Sequence, residues 1–149
     1  MGRIMAIDFG RKRCGVAVTD PLRIVATGLG TVATGQIAEF VKGYLSRELV
    51  DAIVAGSPKD MHGSPSESMR YIAPAIARLR KVLPEGFPIV MFDERFTSVL
   101  AHRGMIDSGM KRSQRRDKES VDTMAATIIL NDYLASRQYQ ENMPGPGKQ

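Results

Sequence analysis

The hydrophobic period of this chain first turns helical near residue 34, after three β-type runs, and that change leaves few architectures open. Before it, residues 3–9, 15–19 and 24–32 are apolar runs of β type. Residues 10–13 supply a turn-prone connection, and Asp20-Pro21 marks a second turn. Three strands with such short links predict an antiparallel meander. After residue 34 the apolar positions recur every three to four residues. Thr34 is expected to cap a helix that buries Ile37, Phe40, Val41, Tyr44 and Leu45. Residues 52–55 read as a short buried strand ending at Gly56.

The pattern then repeats. Ser64-Pro65-Ser66-Glu67 is a capping box with proline at the first helical position. It predicts a helix with Met69, Ile72, Ile76, Leu79 and Leu83 inward, kinked or split at Pro74. Residues 89–92 are continuously apolar, as in a strand covered on both faces, and run into Asp93-Glu94-Arg95. Thr97 is expected to open a helix to about Asp107, and a last helix to turn Val121, Met124, Ala125, Ile128 and Ile129 inward. The order β-β-β-α-β-α-β-α-α predicts an α/β fold: a mixed five-stranded sheet with helices on both faces.

A chain of 149 residues is expected to make one domain, here over 1–138, with a disordered Pro- and Gly-rich tail over 139–149. No apolar run approaches the ~20 residues of a membrane span. The amino terminus meets Asp8 too soon for a signal peptide, and the single Cys14 rules out a disulfide framework. The expected compartment is the cytoplasm, with no membrane partner. Lys and Arg number 21 against 16 Asp and Glu, which favours a polyanionic partner. The densest run is Lys111-Arg112-Ser113-Gln114-Arg115-Arg116-Asp117-Lys118, five cations in eight positions, whose bland alternative is a solvated loop.

Three carboxylates sit where carboxylates are costly. Asp8 lies inside the apolar first strand, Asp93 or its neighbour Glu94 ends the last strand, and Asp122 sits early in the last helix. Each alone could be a cap or a salt-bridged acid. If they converge, their repulsion calls for a cation, and hard oxygen ligands point to Mg²⁺ or Mn²⁺. His62 and His102 have no zinc-site spacing, and neither a Walker loop nor a G-x-S-x-G segment occurs.

The motifs resemble those of the YqgF family. They are Asp8-x-Gly10-x-x-Arg13-x-Gly15-x-Ala17, then Gly56-Ser57-Pro58 with Gly63, then Asp93-Glu94-Arg95-Phe96-Thr97-Ser98, then Val121-Asp122-x-x-Ala125-Ala126-x-x-Ile129-Leu130. The resemblance spans residues 3–136, with departures at Ser57, His62 and Leu100. It implies a ribonuclease-H-like fold related to RuvC, and a nuclease of pre-16S rRNA maturation. It also selects Glu94 over Asp93, so that Asp8, Glu94 and Asp122 become both the catalytic and the metal-holding acids. One or two Mg²⁺ or Mn²⁺ ions are then expected. Arg13, Lys111, Arg112, Arg115, Arg116 and Lys118 would hold phosphates. The partner is expected to be structured RNA in a pre-ribosomal particle, bound by a monomer or weak homodimer. Competing readings are a resolvase of branched DNA and a non-catalytic ribosome-assembly factor. An actin-like ATPase would need two such halves, and this chain has length for one.

Overall fold

A computed structural model describes residues 2–57, 67–93, 118–136 and 139–140, with the backbone alone at 57 and 118–122. Its strands are β1 (Arg3–Phe9), β2 (Arg13–Thr19), β3 (Ala26–Ala33), β4 (Val50–Ser57) and β5 (Ile89–Asp93). Its helices are α1 (Ile37–Leu45), α2 (Met69–Val82) and α3 (Lys118–Leu134). The sheet order is β3-β2-β1-β4-β5. The β1–β2 and β2–β3 pairs are antiparallel, whereas β1–β4 and β4–β5 are parallel. The expected meander and the expected mixed sheet are therefore both present.

Strand alternation divides the core into two layers. Met5, Ile7 and Phe9 face one way with Cys14, Val16, Val18 and Ile53, and pack against Ile37, Val41 and Tyr44 of α1 and Ile72, Ala75 and Leu79 of α2. Ile4, Ala6, Ala17, Val54 and Phe92 face the other way, under Ala125, Ala126, Ile129, Leu130 and Tyr133 of α3. Each large side chain buried this way contributes about 1.5–3 kcal/mol. Helices thus cover both faces, as the element order requires.

Several local expectations give way to tertiary contacts. Thr34 does not cap a helix: its hydroxyl donates to the Gly10 carbonyl at 2.7 Å, and α1 begins after a 3-10 turn over Thr34–Gln36. Helix α2 begins at Met69 without a side-chain cap, past the expected box, whose residues 64–66 lie outside the described residues. It also runs unbroken through Pro74. Pro74 and Arg70 are both exposed, so water can reach the carbonyl that the missing proline N–H leaves unbonded. Strand β5 is an edge rather than a fully covered strand, and Met91 is 37% exposed.

Helix α3 is rotated relative to expectation. Met124 is 45% exposed and Ile128 half-buried, while Ala126, Leu130 and Tyr133 join Ala125 and Ile129 inside. Residues 124–130 are apolar nearly all round, so their spacing alone cannot choose a face. Past α3, Tyr139 meets Tyr133 edge-on with ring centres 5.5 Å apart, so packed chain extends beyond residue 138 into the segment expected to be a disordered tail. The helix expected over 97–107 lies outside the described residues. Among those that are described, no helix is long and apolar enough to cross a membrane.

Candidate active site

Asp8 reaches its position through the period of β1. Two residues beyond Ala6, it takes the face that Ile4 and Ala6 present to α3, near the end of the strand. It is 9% exposed, and only Thr19 and Thr34 join it among the described buried polar residues. The register sets Gly15 of β2 directly opposite. On the other side Ile7 pairs with Ala55, so Asp8 is level with Gly56 of β4. Glycine thus stands on both flanks of the carboxylate. A buried carboxylate in such a place is stable only with compensating charge or hydrogen bonds. Both glycines belong to the motifs read from the sequence, but only strand pairing reveals that they neighbour Asp8.

The hairpin after Asp8 is held tightly. A Cβ at Gly10 would run into the Arg13 carbonyl oxygen, so the turn closes only with glycine there. Thr34 ties the same turn to the end of β3, with its hydroxyl on the Gly10 carbonyl and its N–H donating to the Lys12 carbonyl at 2.9 Å. Cys14 lies buried against that hydroxyl at 3.5 Å. Arg13, half-buried at the start of β2, joins Lys12, Thr31 and Ala33 around a cleft of about 480 Å³. The end of the sheet bearing Asp8 therefore carries cations as well.

At the end of β5, alternation assigns a face to Asp93, one of the two acids that the residue pattern left open. Val90 and Phe92 pack in the α3 layer, and Ile89 in the α1–α2 layer. Asp93, opposite Ser57, shares the parity of Ile89 and so belongs to the face away from Asp8. Glu94, Lys111, Arg112, Arg115 and Arg116 lie outside the described residues, as do His62 and His102. Asp122 and Lys118 are placed by backbone alone, Lys118 as the first residue of α3 rather than the last of a loop. Among the described residues no three His, Cys, Asp or Glu side chains assemble as a metal site.

A second glycine lies in close contact with α3. A Cβ on Gly28 of β3 would run into Thr123 Cγ2 and come within 3.4 Å of Thr127 Oγ1. The helix that carries Asp122 thus presses directly on strand backbone one residue after that acid.

A family model for RuvX, described as Holliday junction resolvase, matches residues 2–136. The chain belongs to the RuvX family. This is the family, also called YqgF, that its motifs resemble. A relative from Phocaeicola vulgatus is 51% identical over 139 residues, 93% of this chain and 99% of its own length. Another from Parabacteroides distasonis is 47% identical over 140 residues, with 94% and 99% coverage. Both are named "Putative pre-16S rRNA nuclease". Among solved structures, T. thermophilus RuvC in complex with a Holliday junction substrate aligns with a TM-score of 0.53 at 16% identity. That alignment covers 91% of this chain and 96% of RuvC, and it establishes the RuvC-like, ribonuclease-H-like fold.

Proposed function

We propose that this RuvX-family chain is a divalent-metal-dependent nuclease that processes the 5′ end of pre-16S rRNA, with Asp8, Glu94 and Asp122 as its acids. The observation that carries the reading is Asp8, a carboxylate nine-tenths buried on the α3 face and flanked by Gly15 and Gly56. Two sequence spacings add to it. Glu94 follows Phe92 by two residues in the sequence, and Phe92 packs in the α3 layer. Asp122 precedes Ala126 by four residues and Ile129 by seven, in phase with the stripe that α3 buries. The names of the relatives supply the RNA substrate.

The donor set is three carboxylates and suits a hard cation, Mg²⁺ or Mn²⁺. Bound there, one or two ions would activate water and stabilise the leaving 3′ oxygen. The chain's own residues do the rest. Asp8 supplies a carboxylate at a fixed point of a paired strand, with Gly15 and Gly56 beside it. Arg13, Lys111, Arg112, Arg115, Arg116 and Lys118 hold the backbone without reading bases. The protein acts as a monomer or weak homodimer on a cytoplasmic pre-ribosomal particle.

The test offers purified protein with Mn²⁺ two substrates side by side: precursor fragments spanning the 5′ end of 16S rRNA, and four-way DNA junctions. RNA cleavage that disappears in Asp8→Asn, with thermal stability retained, is the expected result. Junction cutting in preference to RNA overturns the substrate, and unchanged turnover in Asp8→Asn overturns the site.

A further inference from the structure

Helix α2 carries charge that the acidic site does not use. It contains Arg70, Arg78, Arg80 and Lys81 and no acidic residue. All four are exposed, and none forms an ion pair with a carboxylate among the described residues. At 100° per residue they fall within an arc of roughly 160°, opposite the buried Ile72, Ala75 and Leu79. Arg70 and Lys81 stand at the two ends of this face, roughly 16 Å apart at 1.5 Å per residue. The neighbouring acids, Glu67 and Glu85, lie beyond either end of the helix.

This face is joined to the Asp8 end of the sheet. Because α2 connects the parallel strands β4 and β5, it starts at the end where β1 and β4 finish, and runs back along the sheet. There the guanidinium of Arg11, from the hairpin after Asp8, lies 5.7 Å from the ring centre of half-buried Tyr71. A cation over an aromatic face is a platform on which an unpaired base can stack. Arg11, Lys12 and Arg13 then lead from the site to Tyr71, and Arg70, Arg78, Arg80 and Lys81 lead onward.

We infer that the outer face of α2 is a second nucleic-acid site, a track for the single-stranded flank of the substrate as it leaves the acidic site across Arg11 and Tyr71. The inference rests on the nuclease reading only for the identity of the strand. Counterion release makes it measurable without cleavage. Four phosphate contacts on a single strand steepen the salt dependence of log affinity by up to about 2.8.

Divalent ions are chelated, and fluorescence anisotropy reads binding of unstructured RNA of roughly 6 and roughly 16 nucleotides, the span of common single-strand sites. Wild-type protein should bind the longer RNA more tightly and with a steeper salt slope. In R70Q/R78Q/R80Q/K81Q that gain and that extra slope should collapse. Tyr71→Leu should lose roughly five- to 150-fold in affinity for the longer RNA, the range for one stacked base, while Tyr71→Phe should match wild type. The inference is overturned if wild type gains nothing from length, or if the four-fold variant gains as much. Competition by polyglutamate as effective as RNA of equal charge would overturn the assignment to nucleic acid. Cleavage is scored separately, so a track that passes while Mn²⁺-dependent cutting fails would sink the nuclease reading alone.

Discussion

Replacing Gly28 with alanine probes how the helix bearing Asp122 is held on the sheet. The new methyl would occupy the place of Thr123 Cγ2 and sit 3.4 Å from Thr127 Oγ1. Thr123 is β-branched and stiff about χ1, so its side chain gives way only by changing rotamer or by lifting α3. Forcing an extra methyl into packed structure costs about 1–3 kcal/mol. Alanine regains about 0.4–1 kcal/mol by restricting the unfolded chain. The mid-range net loss is about 1.3 kcal/mol, or roughly 3–5 °C in Tm for a chain of this size. Thermal unfolding followed by circular dichroism measures it, and cleavage should fall more steeply than stability because α3 moves with Asp122. Thr123→Ser deletes the obstructing Cγ2, so Gly28→Ala in that background should be nearly neutral, a coupling of about 1–2 kcal/mol in a double-mutant cycle. A Gly28→Ala protein at least as stable as wild type, or losses that simply add in the double variant, would refute the contact.

Three further outcomes are expected. Glu94→Gln should abolish cleavage, whereas Asp93→Asn, on the face away from Asp8, should keep it within about tenfold of wild type; equal losses in the two would undo the parity argument. Changing Lys111, Arg112, Arg115, Arg116 and Lys118 together to Gln should flatten the salt slope of log affinity by up to about 3.5–4.5, and an unchanged slope would make that run a solvated loop. Asp20 lies far from this chemistry and tests the β2–β3 turn. Its carboxylate accepts N–H bonds from Val25 and Ile24 at 2.7 Å and from Leu22 at 3.2 Å, and these hold its pKa below the ordinary 3.8. A depressed folded pKa means that the stabilisation is present above pH 3.8 and lost as pH falls through the lower folded value. Asp20→Asn should therefore melt earlier than wild type at neutral pH, and the gap should close in acid; a gap independent of pH would assign it to something other than the charge.

Much of the layout was readable from local pattern, because strand and helix periods are properties of neighbouring residues. The apolar run of β1 with Asp8 inside it, the meander, and the stripes of α1 and α2 all follow from spacing. So did the suspicion about Asp8, since a carboxylate in an apolar strand needs a reason wherever the strand lies. The family motifs added the choice of Glu94. Contacts between distant residues decided the remainder. The acceptor for Thr34 is a carbonyl 24 residues away, which no capping pattern could announce. Gly15 and Gly56 became neighbours of Asp8 only through strand pairing. Helix α3, apolar on nearly every side, buries Ala125, Ala126, Ile129, Leu130 and Tyr133 and passes close over Gly28, a choice of face that its own spacing left open. Periodicity can mark which face of an element is apolar when only one is. When every face is, or when a partner comes from far along the chain, only packing in three dimensions makes the choice.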